Sequence, residues 1–281
     1  MADLEVLSHM NDEEYAGDEA EFLAELLEKT WKNARRTPLG LADLAGTAIR
    51  RAACVSVVEP DDSEIHRLLQ TAVTALTSLF RLATANATEL DVDPGDGVLA
   101  RIPTAGAIER GDVNRWLNAF FLACTCRDEA ALGALVEVPP DRLRKAVSKS
   151  DDYAYLLVDT LQKYWKHDPG TPRQLALTLK ATDPAQLKLA PEEWVLDIDV
   201  PLIDVFWRVT EADSPAFQTA LVKALEWHKK YWSKNQDRAR DPDGFLAIGL
   251  LGLTALAWEK GMSLEVESGY VPSMLARREW R

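Results

Sequence analysis

Apolar residues recur along this chain at intervals of three and four, in segments separated by short polar turns, which is the pattern of amphipathic helices. Asp18 or Glu19 opens the first, with Phe22, Leu23, Leu26, Leu27 and Trp31 on one face. Thr37 and Pro38 cap and start a second helix that runs to about Val57, and the two are expected to pair as an antiparallel hairpin. Asp61, Asp62 and Ser63 begin a third, whose stripe of Ile65, Leu68, Leu69, Val73, Leu76, Leu79 and Phe80 is broad enough to require a cover. Between Ala87 and Arg110 the period breaks. Pro94, Gly95, Gly97, Pro103 and Gly106 punctuate short β-branched pieces such as VLARI, which predicts a small β-hairpin or an ordered loop near residues 95–110.

Helical spacing returns at Asp112, with Trp116, Leu117, Phe120, Phe121 and Cys124, and continues in a shorter helix from Asp128 to Val136 that stops at Pro139 and Pro140. A further helix spans Asp151 to His167, and Thr171 with Pro172 restarts the chain. Helical starts are read at Asp199 and at Ser214 with Pro215. The last pair is expected over Pro215 to Lys234 and Asp243 to Lys260, with Gly261 as a left-handed terminator. The sum is an all-α fold, an irregular stack of antiparallel helical hairpins, since nothing alternates as βαβ units do. Residues 1–17 read as an acidic, flexible segment and 18–281 as a single helical domain. The signature of the roughly 34-residue helical-hairpin repeat is not cleanly present.

Charge narrows the functional classes. The net charge of −13 and pI near 4.9 would repel nucleic acid and anionic membranes, so neither is expected as a partner, and a partner with a basic surface is favoured. The N-terminus has no basic start or apolar core of a signal peptide. The apolar run from Gly244 to Trp258 is shorter than the roughly 20 residues a membrane span needs, and reads as a buried core helix. Cys54, Cys124 and Cys126 form neither a disulfide framework nor a zinc pattern and fit a reducing cytoplasm.

Motifs for chemistry are missing: there is no P-loop, GxGxxG, GxSxG, HExxH or CxxC. His9, His66, His167 and His228 are scattered, and no second histidine sits three or four residues from His228 to complete a metal face. No cofactor, metal or catalytic residue is therefore expected. Candidate partner-binding residues lie in the C-terminal block. His228, Tyr231, Trp232, Asp237 and Arg238 crowd a helix end, and Trp, Tyr and Arg are the residues enriched at interface hot spots. Glu265 and Glu267 in SLEVES alternate on one face of an extended segment, followed by Tyr270. Trp227 and Trp258 are placed to pack against each other across the last helix pair. Each of these features also has a plain structural use, in sealing the bundle or holding a turn.

Three blocks carry a resemblance. They are RWLNAFFLACTCRDEAALGALVEVPPDRLR from Arg115, DDYAYLLVDTLQKYW from Asp151, and the stretch from Phe217 to Pro272. In order and spacing they resemble the immunity protein 49 family of polymorphic-toxin systems. Its WL-x-AF and CRD features match Trp116, Leu117, Ala119, Phe120 and Cys126, Arg127, Asp128. Its Y-x-Y and LQ-x-YW features match Tyr153, Tyr155 and Leu161, Gln162, Tyr164, Trp165, and its EVES-x-Y-x-P feature matches Glu265 to Ser268, Tyr270 and Pro272. Gly269, Val271 and Leu202 depart from the family pattern.

The resemblance implies protection of a toxin-producing cell or its kin by binding a cognate toxin protein, with no catalytic set to carry over. Two other classes stay open on the residues alone: a helical scaffold for some other protein, and an enzyme that reverses toxin damage with His228, Glu226 or the SLEVES acids in its site. Oligomeric state is open too, because buried and interface aromatics look alike in sequence.

Overall fold

A computed structural model describes residues 4–280 and shows a mostly helical chain of packed antiparallel neighbours with one small two-stranded sheet. Helix α1 (Glu13–Ala34) and α2 (Pro38–Val58) form the first hairpin, and α3 (Ser63–Thr84) packs on α2. The caps are those the sequence points to: Thr37 Oγ1 accepts from the Gly40 amide at 3.0 Å, and the Asp62 carboxylate accepts from the Glu64 amide at 2.7 Å. Helix α1 begins at Glu13, ahead of Asp18, because Asp12 supplies an N-cap by accepting from Tyr15. Residues before it lie along the C-terminal region, with the Val6 amide donating to the Glu267 carbonyl at 3.0 Å.

Strands β1 (Glu89–Val92) and β2 (Ala100–Pro103) pair antiparallel, with Val92 opposite Ala100 and Leu90 opposite Ile102. The hairpin therefore starts before residue 95. Its acidic first strand, ELDV, buries only Val92 fully and offers little alternation to read. The Asp93 carboxylate accepts from the amides of Gly95, Asp96 and Gly97 and so closes the turn.

Helices α4 (Val113–Cys126) and α5 (Glu129–Leu135) follow, capped by Asp112 and Asp128. Then come α6 (Asp152–Trp165) and α7 (Thr171–Ala181), which pack on each other. Helix α8 (Val200–Glu211) does not begin at Asp199 as the sequence suggests. The chain is already helical from residue 192 and passes through a π turn over Val195–Asp199, where the Val200 amide bonds the Val195 carbonyl five residues back. Pro201 accounts for this, since it has no N–H for the Asp197 carbonyl and its ring crowds that carbonyl, widening the turn instead of starting a helix.

Helix α9 (Ser214–Trp232) packs against α8, and α10 (Ile248–Glu259) packs against α4 and α8. The start of α10 is later than Asp243, because Phe245 to Ala247 form a buried connection and the Ala247 amide is taken by the Tyr270 carbonyl at 3.0 Å. A single turn at Pro242–Gly244 stands where the helix was expected to begin. Gly261, at φ 74°, ends α10 in the left-handed region as expected.

Helix α10 is apolar all round, and Leu250 to Ala255 and Ala257 are buried. It fits because Gly252 lets it touch α4: a Cβ there would lie 2.6 Å from the Phe121 carbonyl oxygen and 2.8 Å from its Cα. Backbone cannot yield as a flexible side chain does. Gly252→Ala is accordingly expected to destabilise the fold by about 2 kcal/mol or more in urea denaturation, even though alanine is the better helix former.

Candidate functional site

The C-terminal candidates divide by burial. His228 (6% exposed), Trp232 (7%) and Tyr270 (0%) are core residues. Tyr231 and Arg238 are half-buried, while Asp237, Glu265 and Glu267 are exposed. The turn after α9 is held by Asn235, whose side-chain oxygen accepts from the Arg238 amide at 2.9 Å. The Arg238 guanidinium lies 3.9 Å from the centre of the Tyr231 ring and pairs with Glu193 at 3.2 Å, and Lys234 reaches the same carboxylate at 2.6 Å. Hydrogen bonds from Lys234 and Arg238 hold Glu193 below the usual carboxylate range. Trp227 and Trp258 do not stack on each other among the described residues; Lys230 sits 3.9 Å over Trp227 and Arg277 5.9 Å from Trp258.

The SLEVES segment alternates as expected. Leu264 and Val266 are buried, and Glu265 and Glu267 face outward. It runs beside residues 4–6, with Glu5 bridging Glu267 in parallel and the Ser268 hydroxyl donating to the Val6 carbonyl at 2.6 Å. Beneath it, the Tyr270 hydroxyl lies 2.8 Å from both the amide and Nδ1 of His9. The His228 ring stands edge-on to Tyr270 at 4.7 Å, and its Nε2 donates to the Gly244 carbonyl at 2.9 Å. Burial pushes His9 and His228 each down to about 4, so both are neutral near pH 7.

A second feature escaped the sequence. A cleft of about 650 Å³ opens among α2, α3, α4, α6, the π turn, α8, α9 and the N-terminus of α10. Its floor is apolar, with Ala42, Leu76, Leu157 and Leu202, and Trp194, Trp232 and Tyr153 supply aromatic walls. Four carboxylates line it, three of them paired: Asp112 with Arg115, Asp243 with Arg50 at 3.4 Å, and Asp197 with Lys230 at 3.7 Å. Asp199 has no basic partner among the described residues and accepts only from neutral donors, with the Tyr153 hydroxyl at 2.6 Å. Desolvation pushes Asp199 up to about 7, the hydrogen bonds from Tyr153 and Trp194 opposing, and burial likewise raises Tyr153.

No cysteine among the described residues is an activated thiolate. The three cysteines are buried and desolvation raises all of their thiols, Cys54 and Cys126 to about 12. Among the described residues no cluster of three or more His, Cys, Asp or Glu is placed to hold a metal ion, and no helix is long and apolar enough to cross a membrane.

Comparison with known proteins gives one family. The family model described as immunity protein 49 matches residues 59–275, which extends the likeness well ahead of the block at Arg115. No curated protein and no solved structure matches.

The buried titratable groups oppose one another in acid. His9 and His228 are depressed, so their contribution to stability is present above about pH 6.5 and is lost as pH falls through about 4. Asp199 is raised, so its contribution is present below its ordinary value of 3.8 and is lost as pH rises through about 7. Asp199→Asn is expected to stabilise the protein at pH 8 by on the order of 1 kcal/mol, discounted for the part of the side chain open to solvent. It also removes the opposing contribution, so urea denaturation at pH 8, 6.5 and 5 should show a steeper loss on acidification than in the parent.

Proposed function

Because the chain belongs to the immunity protein 49 family, we propose that it neutralises a cognate bacterial toxin domain by direct, stoichiometric binding that occludes the toxin. The family match over most of the chain carries this reading. An inhibitor of this kind needs a rigid surface complementary to its target and no catalytic group of its own.

The charge supports a basic target. At −13 the chain attracts a positively charged domain from a distance, which speeds encounter and discourages acidic competitors. On the C-terminal face the exposed carboxylates Asp237, Glu265 and Glu267 are the local part of that field, and Tyr231 stacked under Arg238 offers a firm aromatic contact. The N-terminal segment ties these places together. Glu5 and Val6 lie along the SLEVES segment, while the Tyr15 hydroxyl donates to the Arg240 carbonyl at 2.9 Å beside the turn. His228, Trp232 and Tyr270 support this surface from below.

Co-expression with a cognate toxin should rescue growth and yield a one-to-one complex on co-purification. Rescue at substoichiometric amounts, with no complex at micromolar concentration, would show turnover instead and defeat the reading. Reversing Asp237, Glu265 and Glu267 together to lysine is expected to weaken the complex by about tenfold or more, chiefly through slower association at low salt.

A further inference from the structure

We propose that the cleft is the receptor for an arginine side chain of the toxin, its guanidinium forming an ion pair with Asp199. The proposal deepens the neutralisation reading and rests on it for the identity of the partner. The distribution of charge comes first: Asp112, Asp197 and Asp243 each already have a cation, and Asp199 has none among the described residues. A carboxylate drawn out of water without a counter-ion is costly to ionise, and an incoming cation supplies what is missing.

The walls favour arginine over lysine. Trp194, half-buried in the cleft lining and hydrogen-bonded to Asp199, is the aromatic against which a planar guanidinium can stack while its fork of donors meets the carboxylate. Two unused sets of donors fit the main chain that carries such a side chain. The indole N–H of Trp232, whose ring lines the cleft, is buried without a partner. The amides of Ile248, Gly249 and Leu250 at the uncapped start of α10, also among the lining residues, have no acceptor among the described residues. Donors of this kind suit a peptide carbonyl, which a free metal ion or simple amine lacks. The π turn places Asp197 and Asp199 at the cleft, and such turns recur at functional sites.

The test uses the full chain with a blocked single residue, Nα-acetyl-arginine amide, against its neutral isostere Nα-acetyl-citrulline amide, titrated at pH 8 and followed by tryptophan fluorescence and indole NMR signals. The arginine probe should bind about tenfold tighter or more, and Asp199→Asn should remove the difference. Sharing the cleft with Asp199 are Tyr153 of α6, Asp112 and Arg115 at the start of α4, Arg50 of α2, Asp197 of the π turn with its partner Lys230, His228 of α9, and Asp243. His228 is neutral and Tyr153 protonated across pH 6 to 8, so affinity should fall about tenfold from pH 8 to pH 6 as Asp199 takes up its proton.

Asn118, exposed at the cleft, provides a variant that leaves the core alone; Asn118→Trp should block the probe. Equal binding of the two probes, no binding of either, or undiminished binding to a folded Asn118→Trp protein would each overturn the inference. If the toxin still co-purifies in that event, the neutralisation reading stands and only its anchor has been misplaced. With the toxin itself, Asp199→Asn should weaken the complex by about tenfold or more, and an unchanged affinity would also overturn it.

Discussion

A helix that is apolar all round calls for cover on every side, and α10 up to Ala257 is such a helix. The chain before it supplies α4 and α8 as walls, and the chain after it returns to cover the rest. Gly252 fixes how near α4 can come. Arg127, only 7% exposed at its side chain, then clasps the returning segment by donating to the carbonyls of Leu275 and Ala276, with Glu259 as its counter-ion at 3.0 Å. A buried guanidinium with several carbonyl acceptors and one carboxylate is satisfied, so this clasp joins three separate parts of the chain without an orphaned charge. The cleft is the place where the cover over the first turn of α10 is incomplete, which is why backbone amides and carboxylates meet there.

Charge is arranged on two scales. Over the surface, acidic side chains outnumber basic ones and generate a field that acts at a distance. Within the cleft the same excess is reduced to one carboxylate, because its neighbours are matched by Arg115, Arg50 and Lys230. On the proposed reading, the broad field sets how fast a basic partner arrives, while a single desolvated charge selects the side chain it must offer.

Much of the fold was legible because helix starts are local chemistry. Thr37, Asp62, Asp112 and Asp128 cap the helices their positions announce, and Gly261 ends the last long one. Local signals also misled. Asp199 followed by Pro201 has the look of a helix start, yet the preceding turns are already helical and proline only widens the turn. The hairpin begins before its glycines because ELDV shows the acids of an exposed strand more plainly than the buried Val92. The binding candidates mixed core and surface for the same kind of reason: His228, Trp232 and Tyr270 have interface chemistry, and only the tertiary seam with His9 shows that they are buried. The cleft was invisible, since its residues come from segments scattered between Ala42 and Leu250, and the want of a counter-ion at Asp199 is a fact of three dimensions.

The seam between His9 and Tyr270 joins residues 261 apart in sequence. A growing polypeptide cannot close it until nearly all of the intervening length has been synthesised, so the surface that this seam supports is finished late, while helical hairpins such as α1 with α2 can form on the ribosome. Protection that depends on that surface begins with completed molecules.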